Sequence, residues 1–198
     1  MKLRSRKLRP SAKNPKWLFV FAVALIIFCL AARILPHVPN FAPLGALAIF
    51  GGVYFNWAWS LAVPFVTLAF SDLVLGLYDW RLMAAVYGAW LLGAAAGWVI
   101  KKQPSVFNIG VSVLISATVF FLITNFAVWA FSSWYPHTLG GLIAALLMGL
   151  PFFKATILSN FFYSGLFFGA AALLHAYTQK PSRSRRVQPV ALIHKRLL

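Results

Sequence analysis

The chain has 198 residues and a formal net charge of +16; 62% of its residues are hydrophobic and 10% are charged. Soluble domains carry about 25% charged residues, so this composition excludes a soluble enzyme. It predicts an all-α membrane protein, a polytopic bundle of six transmembrane helices in one domain. The positive charge would suit nucleic acid, but it concentrates in two tails that flank the apolar part of the chain. We therefore expect the lipid bilayer, and no nucleic acid, as a partner of these tails.

The first predicted element is a basic cytoplasmic tail over residues 1–16, and the first span follows near residues 17–35. This apolar run is longer than the hydrophobic part of a signal peptide and lacks a convincing cleavage site, so we expect it to be retained. Its Cys29 is the only cysteine in the sequence. An intramolecular disulfide is thereby excluded.

Two apolar stretches, residues 41–75 and 139–175, are too long for one straight crossing, because a span needs about 20 residues. If both basic tails are cytoplasmic, the number of crossings is even and only one stretch is split. Splitting the first places Lys101 and Lys102 on the cytoplasmic side, as the positive-inside rule favours. Gly51, Gly52 and Asn56 predict the turn between spans near 41–55 and 57–75.

The remaining spans are predicted near residues 82–100, 106–131 and 152–175, and a second basic cytoplasmic tail follows over 176–198. Residues 139–150, closed by Pro151, are predicted as an outer-side helix or a re-entrant piece. Small residues recur at every fourth position, which indicates close helix packing within the chain or against another subunit. These rows are Ala89, Gly93 and Gly97; Gly141, Ala145 and Gly149; Gly165 and Gly169.

With this topology, the few polar side chains gather at the outer ends of the spans. An ionisable group within a span is costly unless it is paired or faces water, so Asp72 and Lys154 are the strongest site candidates. Asp72 has a second interpretation, a salt bridge with Arg33 or Lys154 that merely holds helices together. The predicted substrate-binding residues, with Trp129 and Tyr135 as stacking surfaces, are Arg33, His37, Asn40, Asp72, Asn125, Trp129, Tyr135 and Lys154.

The sequence contains no catalytic motif and no phosphate-binding loop. We therefore predict no catalytic residue, no cofactor and no ATP hydrolysis by this chain. His37 and His137 have no cysteine or carboxylate nearby at metal-ligand spacing, so no metal is predicted. An intramembrane enzyme that uses one of these histidines with Asp72 is the weakest alternative.

Five motifs in a fixed order resemble those of an uncharacterised bacterial family assigned to membrane transport. The longest is R-I-L-P-H-V-P-N-F-A-P-L-G-A-L-A-I-F-G-G, from Arg33 to Gly52. The others are S-D-L-V-L-G from Ser71, T-N-F-A-V-W from Thr124, Y-P-H-T-L-G-G-L from Tyr135 and P-F-F-K-A-T from Pro151. The resemblance covers roughly residues 17–175. That family is similar to the S-components of energy-coupling-factor (ECF) transporters.

The resemblance implies a six-helix protein of the bacterial inner membrane that captures a vitamin-like or metal-related solute on its outer face. It also implies a partner, an energising module with a transmembrane subunit and two ATPases. The docking motif A-x-x-x-A of S-components is absent from the first span, and the nearest instance is Ala42 to Ala46. Asn160 stands where the resemblance leads us to expect an acid. Solitary transport, and a non-transporting scaffold or assembly factor, therefore stay open.

Overall fold

The computed structural model describes residues 15–178, and the predicted basic tails lie outside it apart from their helical edges. Within this range the chain forms six helices and no strand, which confirms the predicted all-α fold. The helices are α1 (Pro15–Ile34), α2 (Leu44–Tyr54), α3 (Trp57–Leu75), α4 (Trp80–Ile100), α5 (Val106–Phe131) and α6 (Leu139–Thr178).

Four of the described helices, α3 to α6, are long and apolar enough to cross a membrane. The part of α1 whose side chains the structure describes (Phe19–Ile34) and the whole of α2 are shorter than a full crossing. The membrane class is thus confirmed by four helices, while the count of six crossings stays a prediction.

Helix α2 is the centre of the bundle and contacts each of the other five helices. Every residue from Leu44 to Val53 is buried, as expected of a helix that is apolar on all sides. The ring of Phe50 packs between aromatic rings of α6, with centroids 5.8 Å from Phe167 and 5.2 Å from Phe168. With a rise of ~1.5 Å per residue, α2 covers only about half of the hydrocarbon thickness.

Glycines let α2 and α4 approach until their backbones touch. A Cβ at Gly52 would overlap the Ala94 carbonyl, and one at Gly97 would overlap the Ile49 carbonyl. Gly52 therefore lies inside α2 as a packing residue, which corrects its predicted role in a turn. The turn consists of Phe55 and Asn56, and the Asn56 side chain caps α3 by accepting from the Trp59 N–H at 2.9 Å.

The small-residue rows divide between the two predicted uses. The α4 row packs within the chain, and so does the first α6 row, where a Cβ at Gly149 would overlap the Asn125 side chain. Gly165 and Gly169 differ, because no described atom lies within 4 Å of a Cβ built on either. Only this last row presents an open surface.

Residues 139–150 and the predicted last span form one helix of 40 residues, with Pro151 inside it. The break predicted at Pro151 is therefore wrong. A proline removes one backbone hydrogen bond. If the helix ended at Pro151 inside an apolar bundle, many more backbone groups would be left unpaired, so α6 continues. Pro64 lies inside α3 in the same way.

Candidate functional site

The shortness of α2 creates a pocket at one end of the bundle. Leu44, the first residue of α2, packs against Trp90 of α4, and α4 begins ten residues earlier, about 15 Å farther along the bundle. The neighbouring helices thus continue as walls beyond the end of α2. The cavity between them has a volume of about 360 Å³ and is lined by Arg33, His37, Asn40, Ala42, Leu44, Leu75, Tyr78, Val86, Trp90, Phe120 and Thr156.

The loop before α2 is shaped by its own sequence. The N–H of Phe41 donates to the Val38 carbonyl at 2.9 Å, which closes a turn with Pro39 at its first central position. Asn40 at the second has φ 61°, a left-handed conformation that asparagine tolerates well. The Ser159 hydroxyl of α6 lies 3.4 Å from the Asn40 carbonyl oxygen, 3.3 Å from that of Ala42 and 3.1 Å from that of Thr156, so its one hydrogen is shared between α6 and the loop. The turn is thereby held over the pocket.

A buried ion pair forms the polar wall. The Nη2 of Arg33 donates to Oδ1 of Asp72 at 2.6 Å, and the Tyr87 hydroxyl donates to Oδ2 at 3.0 Å. Only 16% of the Arg33 side chain and 2% of the Asp72 side chain are exposed. Asp72 therefore lies behind Arg33 and holds the guanidinium at the pocket. Of its two predicted partners, Arg33 is the one it binds.

Another part of the lining is aromatic. The rings of Trp90 and Phe120 stack with centroids 4.2 Å apart and an interplanar angle of 25°. Burial raises the pKa of Tyr78 to about 12, and the charge of Asp72 acts in the same direction while Arg33 opposes it. Tyr78 lines the cavity, and its protonated hydroxyl is a potential hydrogen-bond donor.

Asn160 lies beneath the pocket, against the first turn of α2. It is fully buried, and neither its Nδ2 nor its Oδ1 has a hydrogen-bond partner among residues 15–178. A Cβ at Gly45 would overlap both the Asn160 amide and the Trp90 ring. Because an unpaired buried amide is costly, this position is a polar site within the bundle and not ordinary core.

The structure brings together half of the predicted site residues. Arg33, His37 and Asn40 line the pocket, and Asp72 positions Arg33 from behind. The Nδ1 of His37 donates to the Leu35 carbonyl at 2.7 Å. The Nε2 of the ring takes no part in this hydrogen bond.

The other four predicted residues do not line this pocket. Asn125 donates to the Phe121 carbonyl at 2.8 Å, and Trp129 donates to the Pro136 carbonyl at 3.1 Å; both bonds stabilise local structure. Tyr135 is half-buried in the loop between α5 and α6, and Lys154 is exposed on α6. Lys154 precedes the lining residue Thr156 by two positions, which on a helix points them about 200° apart.

Sequence reasoning did not assign eight of the eleven lining residues or the supporting Tyr87, and five of these nine residues show why. Trp90, Phe120 and Val86 come from apolar runs that hydropathy alone assigns to lipid or core. One signal was present, because Tyr87 and Trp90 lie three residues apart and therefore share a face of α4. The remaining two are Tyr87 itself, which binds Asp72, and Thr156.

A second and larger cavity of about 460 Å³ lies between α4, α5 and α6. All its lining residues are apolar, so it provides no hydrogen bond or charge that would orient a polar solute. Among the residues that the structure describes, no cluster of three or more His, Cys, Asp or Glu side chains is able to hold a metal ion. The pocket at the end of α2 is therefore the candidate site.

Asp79, the other acidic residue, forms an exposed pair with Arg81 at the start of α4, with Oδ2 and Nη2 2.8 Å apart. Hydrogen bonds from the Arg81 side chain and backbone lower the pKa of Asp79 from 3.8 to about 2. The lowered folded-state pKa means that the pair contributes stability above pH 3.8, and that this contribution disappears as the pH falls through about 2.

Carboxyl-carbon NMR of Asp79 should show a titration midpoint of about 2. Arg81→Gln should move this midpoint back towards 3.8, and an unchanged midpoint would contradict the pairing.

Fold and pocket together define an all-helical protein with four membrane-length helices and a partly polar cavity at one end. The chain matches DUF6580, a family of unknown function, over residues 12–183, and it belongs to that family. No curated protein matches it. No solved structure matches it either.

Proposed function

We propose that this protein is an integral membrane subunit that binds a small solute from the outer face and takes it up. The observation that carries the proposal is the pocket itself. It joins the Arg33 guanidinium to the stacked Trp90 and Phe120 rings, in a volume of about 360 Å³. Small-molecule sites have this composition, mostly apolar walls with a few convergent polar groups.

The outer side is assigned from the distribution of basic residues. Lys101 donates to the Phe55 carbonyl at the end of α2, and the pocket lies beyond the other end of the same helix. The positive-inside rule assigns the Lys101 end to the cytoplasm, so the pocket faces outwards. With both tails cytoplasmic under the same rule, the number of crossings is even, in agreement with the proposed six. The bacterial inner membrane is proposed from the family resemblance.

Coupling to an energising module with ATPases is the part of the proposal that rests on resemblance alone. The Ala42 to Ala46 pair does not offer a docking surface, because Ala42 lines the pocket and Ala46 is fully buried. A module that energises this chain would therefore use another face. Action without a module is the alternative.

The first experiment is to purify the chain in mild detergent and identify co-purified small molecules by mass spectrometry. Titration of the identified solute should change tryptophan emission, because Trp90 lines the pocket. Trp90→Phe should lose most of this change. The matched control is Trp57→Phe, since Trp57 is 72% exposed at the opposite end of the bundle, and this variant should keep it.

Uptake is measured separately, in cells that express the chain and receive the labelled solute. Accumulation above that of cells without the chain is the expected result. A response that survives in Trp90→Phe, or binding without uptake under any energised condition, would contradict the proposal.

A scaffold or assembly factor is the second candidate, and one observation favours it. Gly165 and Gly169 form an open row on α6, a surface on which another membrane helix can pack closely. This function predicts co-purifying proteins that are lost in Gly169→Leu, together with the absence of a bound metabolite.

A further inference from the structure

We propose that the pocket binds a planar organic anion, whose negative group lies between Arg33 and the first turn of α2 while its flat body contacts Trp90 and Phe120. The inference rests on the proposed function, because it names the chemical class of the solute for that same pocket. Four observations carry it, two on the anionic end, one on the charge of the lining and one on the planar body.

Arg33 has an unused donor. Its Nη2 is bound by Asp72, but its Nη1 is buried and has no hydrogen-bond partner among residues 15–178. A buried guanidinium nitrogen left unpaired is costly. Arg33 lines the pocket, and a small rotation of its guanidinium would turn the buried Nη1 towards a carboxylate there. A charge-assisted bond to Arg33 is stronger than a neutral one.

The first turn of α2 offers further donors. Its N-cap is Pro43, and no side chain caps the turn, so the first backbone N–H groups have no partner within the helix. Ala42 and Leu44, on either side of that cap, both line the pocket. The positive end of a helix favours an anion. The fully buried, unpaired amide of Asn160 lies against this same turn at Gly45, outside the cavity lining, and it can support an anion there only through the turn.

The charge of the lining agrees with an anionic ligand. Among the lining residues that the structure describes, none is acidic, and Arg33 carries the only fixed charge. Asp72 lies outside the lining and already accepts from Arg33 and Tyr87. A cation would find no carboxylate in this pocket to bind.

The planar body follows from the aromatic wall. Trp90 and Phe120 are stacked almost in parallel and both line the cavity, so a flat ligand can contact them along its face or edge. A ligand with a flat ring and an anionic group at one end would match the aromatic and the basic parts of the lining.

The test compares benzoate with benzamide, which share shape and ring but differ in charge. Both are titrated into the detergent-purified protein while tryptophan emission is followed. Benzoate is expected to bind with a Kd on the order of 1 mM, and benzamide at least about tenfold more weakly. Trp90→Phe should remove the response to both, which shows that the signal comes from the pocket.

Two variants examine the anion-binding groups. The double variant Arg33→Gln with Asp72→Asn removes both members of the ion pair, so no buried charge is left unpaired, and it should lose the preference for benzoate. Asn160→Leu keeps Arg33 and should weaken benzoate binding more than benzamide binding. Thermal unfolding of each variant shows whether it has folded.

Equal binding of benzoate and benzamide would overturn the inference, as would a preference that persists in the folded double variant. Failure of both probes to bind would overturn it too. These results leave the proposed function unaffected if a co-purified solute still binds through Trp90 and is taken up. That function is contradicted if no solute binds there, or if binding is not followed by uptake.

Discussion

Asp72→Asn is expected to destabilise the protein by about 3 kcal/mol, because it leaves the Arg33 charge buried without a counter-ion. The Arg33 side chain is only 16% exposed, so water can replace little of the lost interaction. For a chain of this size, the melting temperature should fall by roughly 10 °C. The measurement is thermal unfolding in detergent, followed by circular dichroism.

The matched control is Asp79→Asn, the same substitution at the only other acidic residue of the sequence. The Asp79 and Arg81 side chains are 33% and 42% exposed, and asparagine is also a good N-cap residue, so only a small decrease in melting temperature is expected, well below that of Asp72→Asn. Adding Arg33→Gln to Asp72→Asn should recover much of the lost stability. Equal effects of the two single variants would contradict the buried ion pair.

Gly97→Ala is expected to destabilise the bundle by about 3 kcal/mol through overpacking. The added methyl would overlap the Ile49 carbonyl and approach the Gly52 Cα. Both are backbone atoms, so no side-chain rotation relieves the overlap, and α4 must move away from α2. Because α2 forms the floor of the pocket, solute binding should weaken together with the melting temperature.

The control for this variant lies on the same helix. Gly88→Ala adds the same methyl group to α4, where no described atom lies within 4 Å, and alanine favours helix by about 1 kcal/mol over glycine. We expect the melting temperature to stay unchanged or rise slightly. Similar losses in Gly97→Ala and Gly88→Ala would mean that helix propensity, and not contact with α2, decides the effect.

The two variants act on the same cavity from different sides. Asp72 holds Arg33 in place at the wall, whereas Gly97 lets α2 sit deep in the bundle with its first turn facing the pocket. Both therefore support the site without lining it. Solute affinity should respond to both, although neither residue touches the solute.

Local sequence features were sufficient to place most of the helices. The predicted bounds of 57–75 and 106–131 agree with α3 and α5 to the residue, because hydropathy marks each span and a polar cap marks its start. Asn56 accepts from the Trp59 N–H and Ser105 from the Asn108 N–H. Such bonds link residues three apart, so the sequence contains all that is needed to predict them.

The roles of Pro151 and of the glycines of α2 could be understood only from the tertiary structure. Proline breaks an isolated helix, but here α6 continues because the surrounding bundle leaves its backbone no other hydrogen-bond partners. Gly52 resembles a turn residue in the sequence, and only the neighbouring α4 backbone shows why a side chain is excluded there.

The candidate site likewise contains some residues that the sequence predicts and others that only the tertiary structure brings together. Arg33, His37 and Asn40 were predictable, because polar residues at the end of α1 and in the loop that follows it are close in sequence and must lie near each other. Trp90 and Phe120 come from separate apolar runs, and only helix packing places their rings side by side. Polarity alone also did not show that Asn125 and Trp129 lie outside this pocket, where they form local hydrogen bonds within α5 and the following loop. Hydropathy and capping depend on neighbours in sequence, whereas a pocket depends on which side chains from distant segments converge.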